Sequence, residues 1–294
     1  MSNISWRHHY IPQFYLQNFT NSINMFYIYL VKENRYKANG KLFSPESHFF
    51  EEDGNTLSLE DTITDFLETS QYKKYDNTIA ELFKKIKLAK DKKYGLSDKD
   101  MPLLQYFIAH LFWRNPMNNE LVKELIKKNG LSGLGIQFKD RKTNEVTQNT
   151  NLEKQLMENK DYYKAIKYWL PTFLFPTLFE NDSPLTIITF IPGELPSFLS
   201  DNPIILRNPN SFDIYNNDFI LPLSRDKILI RTKKIKSEIQ NNVRILIDLI
   251  LVKQAIKFVS TTDLRYIPLL KGLSKRYESI DEIREDVFLS MVEE

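Results

Sequence analysis

The sequence predicts an α+β protein, mostly helical, and three observations carry that expectation. Two long stretches, Ser58–Lys87 and Lys236–Ser260, keep apolar residues at helical spacing. Four short apolar runs between Leu185 and Thr232 are bounded by Pro, Asn, Gly and Asp, the punctuation of antiparallel strands. Near the N-terminus an aromatic run, Met25–Val31, precedes a polar turn with Asn39-Gly40 and an extended piece at Lys41–Phe43, which together read as a hairpin. The order of hairpin, helices, antiparallel strands and closing helix is that of an α+β fold.

Each element has a local reason. Pro12 marks the start of a short buried helix to about Phe19, with His8 and His9 in the segment before it. Ser58 is a helix cap with Asp61 three positions on, and Leu59, Ile63, Phe66, Leu67, Ile79, Leu82, Phe83 and Ile86 make one stripe. A charged connector follows. Ser97 or Asp98 then starts a helix that ends at Asn115-Pro116, because a residue before proline avoids the α region. Residues 118–129 and 152–168 are again helical. The polar, glycine-containing stretch 130–150 is a flexible loop or excursion. Leu185–Ile191, Phe198–Leu206, Asp218–Leu223 and Lys227–Thr232 are four strands of one small sheet, and Lys236–Ser260 is the closing helix.

Composition bounds the function classes. A chain of 294 residues supports one large core, and a single domain over 1–294 is expected. Its 42% hydrophobic and 27% charged residues are an ordinary globular balance. Cysteine is absent, which removes disulfides, thiol nucleophiles and cysteine-held metals and points to a reducing cytoplasm. The net charge of +2 permits a nucleic-acid or nucleotide partner without arguing for one. The longest apolar stretch, Ile245–Val259, is short and is interrupted by Asp248, Lys253 and Lys257, so no membrane partner is expected. No N-terminal run has the length of a signal peptide. Protein partners and oligomeric state leave no mark in the sequence.

Polar residues in apolar surroundings are the informative ones. Of four histidines, two are adjacent, His8 and His9, between Trp6 and Tyr10. In extended backbone they point to opposite faces, so one can face a site while the other braces it. The plain alternative is a satisfied pair that pins the N-terminus. His110 and Arg114 stand four apart on one helical face, flanked by Phe107, Leu111, Phe112 and Trp113. Arg114 needs an anionic partner, an internal carboxylate or a ligand phosphate. The turn Ser200-Asp201-Asn202-Pro203 interrupts two apolar runs. A structural turn is its default, and a site that binds metal, orients a histidine or accepts a hydroxyl is the alternative. Glu60 and Glu68 sit two turns apart, and Glu68 is the better candidate because it follows Phe66 and Leu67.

The phrase RHHYIPQFYLQNF resembles the N-terminal signature of the family known as domain of unknown function 4238. SHFFEEDGN, LEDTITDFLE, FIAHLFWRNP, FLSDNPII, ILPLSRDKILI and the tail around NNVRILIDLILVKQAIKFVS resemble further family segments in the same order, over nearly the whole chain. At position 110 the family pattern has Gln where this chain has His110. The resemblance brings no reaction, but it maps a site: His8, His9, Gln13, Glu68, Arg114, Asp201 and Asn202.

These residue types suit phosphate-ester chemistry. His8 or His9 is the expected general acid or base, Arg114 the group that holds phosphoryl oxygens, and Asp201 the residue that orients the histidine or binds a divalent metal. Gln13, Asn202 and Glu68 are the expected substrate-binding residues. His8 or His9, Arg114 and Asp201 are expected to line one pocket, with Gln13 and Asn202 at its edge and Asp201 as counter-ion to Arg114 or a protonated histidine. No Gly-rich phosphate loop, His-Glu-x-x-His or Gly-x-Ser-x-Gly is present. The reading is a phosphate-ester hydrolase, a nuclease or nucleotide phosphodiesterase acting as a toxin or phage-defence effector. The alternatives are a non-catalytic nucleotide- or anion-binding module and a purely structural polar network.

Overall fold

The computed structural model describes residues 6–293 apart from 60–61, 95, 140–141, 148–153, 155–157, 159, 175–183, 191–194 and 211–213. Glu60 and part of the expected loop 130–150 therefore lie outside the described residues. The fold is α+β, as the sequence predicts. The chain forms two compact units interleaved in sequence. The first comprises Met1–Tyr10, Phe50–Ile79 and Pro102–Glu180, and the second Ile11–Phe49, Ala80–Met101 and Asn181–Glu294.

In the first unit, strand Arg7–His9 pairs antiparallel with Phe50–Glu52. A second small hairpin joins Leu57–Leu59 to Thr62–Thr64. This corrects the long helix expected from Ser58: the β-branched run Thr62-Ile63-Thr64 favours strand, and helical structure starts only later. Residues Leu67–Tyr72 are π-helical and pass into the α-helix Lys73–Leu88, which from Ala80 onward is counted with the second unit. The helices Asp100–Arg114, Asn119–Gly133 and Lys160–Leu174 follow. Ser97 Oγ accepts the Asp100 N–H (3.2 Å), so the predicted start signal works as one. At the other end Asn115 Oδ1 accepts the Met117 N–H (3.2 Å) and turns the chain. The stretch 130–150 contains a two-residue hairpin, Phe138–Lys139 with Val146–Thr147. Leu57, Leu67, Tyr72 and Tyr168 pack together as an apolar cluster.

The second unit holds two antiparallel sheets. One has the order Ile205–Leu206, Phe219–Pro222, Lys227–Arg231, Leu185–Thr189, Lys93–Tyr94. The other has Phe198–Ser200, Phe258–Thr261, Phe26–Leu30 and Arg35–Tyr36, with Leu42–Phe43 also on Phe26–Leu30. The expected single four-stranded sheet is thus divided, because the Ser-Asp-Asn-Pro turn separates Phe198–Ser200 from Ile205–Leu206. The closing helix is shorter than expected, Val243–Gln254, and Phe258–Thr261 is a strand. The run Phe-Val-Ser-Thr favours a strand once the helix has ended. Two further helices, Tyr266–Ser274 and Ile280–Met291, pack on the same core. Among the described residues no helix is long and apolar enough to cross a membrane.

Candidate functional site

Arg114 is the centre of the first unit's polar network. Phe107, Ile108, Leu111 and Phe112 are buried, and burying that stripe carries the helix end inward, leaving Arg114 only 4% exposed. One helical run supplies its partners. Nη2 lies 3.4 Å from Glu68 Oε2, Nη1 lies 3.1 Å from Asp76 Oδ2, and the guanidinium stands 4.0 Å from the Tyr72 ring centroid. Residues 68, 72 and 76 recur every four positions, so they share one face, and Arg114 lies along it. Glu68 belongs to the π-helical stretch; such stretches are rare and are frequent at functional sites.

Asn55 extends the network to the N-terminus. Its Nδ2 donates to Glu68 Oε2 (2.8 Å), and its backbone N–H donates to His8 Nδ1 (2.8 Å). An accepting Nδ1 places the proton of the neutral ring on Nε2. The strand pairing sets His8 opposite Glu51 and His9 opposite Phe50. Alternation sends the adjacent histidines to opposite faces. His8 enters the network, and the His9 ring sits 5.6 Å from Phe50.

The electrostatics follow from burial. Burial disfavours the Arg114 cation, but Asp76 and Glu68 more than offset it and hold the guanidinium protonated even further above its usual range. Burial pushes the Asp76 carboxyl up, against the pull of Arg114. Lys167, on the helix Lys160–Leu174, donates to Asn119 Oδ1 (2.6 Å). Burial lowers its pKa to about 7, with Glu51 pulling up and Arg114 pushing down. Two carboxylates, Glu68 and Asp76, face the single Arg114 guanidinium, so this ion cluster carries excess negative charge. One turn before Arg114, His110 lies among the rings of Tyr72, Tyr75, Tyr106 and Tyr168, with centroids 4.4–5.9 Å away. Burial, with help from Arg114, lowers its pKa to about 3, so it stays neutral. Among the described residues Arg114 Nε, His110 Nε2, Tyr75 Oη and Tyr163 Oη are buried without a hydrogen-bond partner.

Asp201, Asn202 and Gln13 belong to the second unit. The Asp201 carboxylate accepts the backbone N–H groups of Ile256, Lys257 and Phe258 at 2.9, 2.6 and 3.2 Å. Asn202 Nδ2 donates to the Gln254 carbonyl (3.3 Å), and Gln254 Nε2 donates to the Asn202 carbonyl (2.6 Å). The turn therefore ties the end of the helix Val243–Gln254 to the start of the next strand. Gln13 opens the short helix Gln13–Leu16. The counter-ions of Arg114 are Glu68 and Asp76, in the role expected of Asp201.

The structure brings His8, Glu68 and Arg114 together and adds Asn55 and Asp76, which sequence reasoning missed, as it did Lys167, whose charge feels Glu51 and Arg114. Asp76 had a signal, two steps of four from Glu68 on the face that carries Tyr72. Asn55 looks like a turn residue, and Lys167 like a surface lysine. Among the described residues no group of three or more histidine and acidic side chains is placed to hold a metal ion. Glu68 and Asp76 remain a pair that could share a cation with a bound phosphate, as magnesium sites commonly do.

An α+β chain with a buried arginine–carboxylate network entered from an N-terminal histidine strand is the class that fold and site define. Residues 7–255 match the family described as protein of unknown function (DUF4238), and the chain belongs to it. Every residue of the network lies within the matched stretch. No curated protein and no solved structure matches the chain.

Proposed function

We propose that the first unit carries a phosphate-ester hydrolase site, of the nuclease or nucleotide phosphodiesterase kind, built on His8, Glu68, Asp76, Arg114 and Lys167. What supports it is convergence: three sequence-distant segments are joined by hydrogen bonds and ion pairs into one charged network in the first unit. A core needs no such set, since an unpaired buried polar group costs about 1–3 kcal/mol. Lys167, whose pKa burial lowers to about 7, would take the proton of the attacking water, and the leaving oxygen would take its proton from solvent. Arg114 Nε–H, without a partner among the described residues, would meet a phosphoryl oxygen. Asn55 N–H holds His8 by its Nδ1, so the edge of the ring that would meet the substrate is Nε2. The excess negative charge repels a bare phosphate, so the substrate enters with a divalent cation that Glu68 and Asp76 would hold. That cation would neutralise developing phosphoryl charge.

The test is turnover of RNA, DNA and a nucleotide panel by the purified chain, with and without magnesium or manganese. Wild type is expected to turn over at least one substrate, with Glu68→Gln and Lys167→Met slower by about 100-fold or more. No turnover in any mixture overturns the reading. A toxin or antiviral effector role in the cytoplasm is part of the same proposal, and growth arrest on expression, relieved by Lys167→Met, tests it. One observation favours the non-catalytic alternative: both terminal nitrogens of Arg114 already meet internal carboxylates. A small molecule retained in native mass spectrometry without turnover would favour that reading.

A further inference from the structure

The second unit contains a cavity of about 410 Å³ that the network above does not use. Its volume is within the roughly 300–1,000 Å³ typical of small-ligand sites. One wall is the sheet edge, where Thr189 N–H donates to the Lys92 carbonyl (2.9 Å) and Ile188 pairs with Lys93. The other is the turn Ser237–Asn241, which leads into the N-terminus of the twelve-residue helix Val243–Gln254.

Charge accumulates at this place. Lys92 and Lys93 line the cavity, and Lys93 Nζ donates to the Lys236 carbonyl (3.0 Å), which brings a second lysine-rich segment, Lys233 to Lys236, to the same rim. Lys236 Nζ in turn donates to the Leu289 carbonyl (2.7 Å). These partners are neutral carbonyls, which do not balance the lysine charge. Glu238 is the one acid among the described lining residues. The helix N-terminus adds its positive dipole end in the same direction. Inside, Phe190, Ile188 and Ile239 supply apolar surface, and Gln240 and Asn241 supply amides. The Thr189 hydroxyl is buried with no hydrogen-bond partner among the described residues. An orphaned hydroxyl beside apolar wall and cationic rim asks for a ligand with both a polar ring edge and an anion.

We propose that this cavity binds a phosphate joined to a flat heterocycle, either a free nucleotide or the terminal nucleotide of a nucleic-acid strand. The lysines take the phosphate, the apolar wall packs the ring, and Thr189 with the two amides meets its polar edge. No general acid or base is needed, so the site is a binding site that stands independently of the hydrolase reading.

Isothermal titration of the full chain with adenosine monophosphate, a 5′-phosphorylated trinucleotide and inorganic phosphate tests it. Wild type is expected to bind the mononucleotide or the trinucleotide, weakening with salt. Binding of the trinucleotide alone assigns the strand end, and binding of both assigns the nucleotide itself. Lys92→Glu with Lys93→Glu, and separately the near-isosteric Thr189→Val, should each weaken binding tenfold or more. Lys84→Gln, an exposed change outside both sites, should bind as wild type does. Binding of none of the three, binding of inorganic phosphate only, or affinities unchanged in both variants would overturn the assignment.

Discussion

Each unit buries an arginine against carboxylate, and the two arrangements differ in kind. In the second unit Arg244 pairs with Asp248 one turn along the same helix, with both side chains 1% exposed. Tyr266 Oη donates to Asp248 Oδ2 (2.7 Å), and Arg244 Nε and Nη2 have no partner among the described residues. In the first unit Arg114 is as buried, but its carboxylates are not: Glu68 and Asp76 keep 18% and 21% of their side-chain surface. One pair is sealed, with a single acid for its single cation. The other is reached by solvent and carries more acid than base. A sealed pair gains little over hydrocarbon of the same volume, because desolvation cancels most of the Coulomb attraction. A network open on its acidic side can exchange partners. That difference is why the proposed function is placed on Arg114 and not on Arg244.

The largest expected effect breaks the sealed pair. Arg244→Met leaves Asp248 buried and uncompensated and should cost about 3–5 kcal/mol in urea unfolding. Arg244→Met with Asp248→Leu should return to wild-type stability or exceed it. A double variant no better than the single one would mean that the pair has a positive role, and the contrast with Arg114 would weaken. Next in size is Asp201→Ala, which strips the acceptor from three backbone N–H groups. A loss of about 3 kcal/mol is expected, with Asp201→Asn intermediate. A loss below about 1 kcal/mol would show that the turn does not depend on that carboxylate.

The open network should respond in the opposite way. Glu68→Gln should cost only about 1 kcal/mol, because Asp76 still faces Arg114 and a partly solvated pair is worth little. Under the proposed hydrolase reading its larger consequence is the loss of turnover. If Glu68→Gln unfolds the chain as readily as Arg244→Met does, both networks are structural.

These residues also show what the sequence could tell. The helix carrying Arg114 was readable, because its apolar stripe and the Asn115-Pro116 stop are local signals. The end of the helix after Gln254 was not, because it is tied by a carboxylate more than fifty positions away. The region from Ser58 failed for a related reason: its apolar spacing fits a helix, while the β-branched Thr62–Thr64 pairs with Leu57–Leu59 as a strand. In the site, Arg114 announced its need for an anion, and its neighbours in sequence could not say which. Asp76 was hidden among lysines and tyrosines of ordinary helical pattern. The His8–His9 pair was readable as two faces of one extended segment, whereas Asp53-Gly54-Asn55 reads only as a turn, with nothing to say that it links His8 to Glu68.

The smallest effect at neutral pH, and the sharpest in sign, concerns His110. Its surroundings are four tyrosine rings, and burial holds its pKa near 3, below the usual 6.5. The folded chain therefore keeps this ring neutral, while the unfolded chain takes up a proton below about pH 6.5. The neutral form's contribution is present above that pH and is lost as the pH falls toward 3, by up to about 1.4 kcal/mol per pH unit. Asp248 acts with the opposite sign: burial lifts its pKa to about 6, above the unfolded 3.8, so its contribution is present at low pH and lost as the pH rises through 6. His48, with a pKa lowered to about 3 by burial and Lys37, titrates as His110 does but in the second unit, and so remains in any His110 variant. His110→Gln puts the residue of the family pattern into the tyrosine cluster, so at pH 7 the stability change should be under about 1 kcal/mol. Urea midpoints at pH 7, 5 and 4 should then diverge, with the variant gaining on wild type at each step down. Parallel curves would mean that His110 is charged or solvated in the fold, and its dry tyrosine surround would have to be given up.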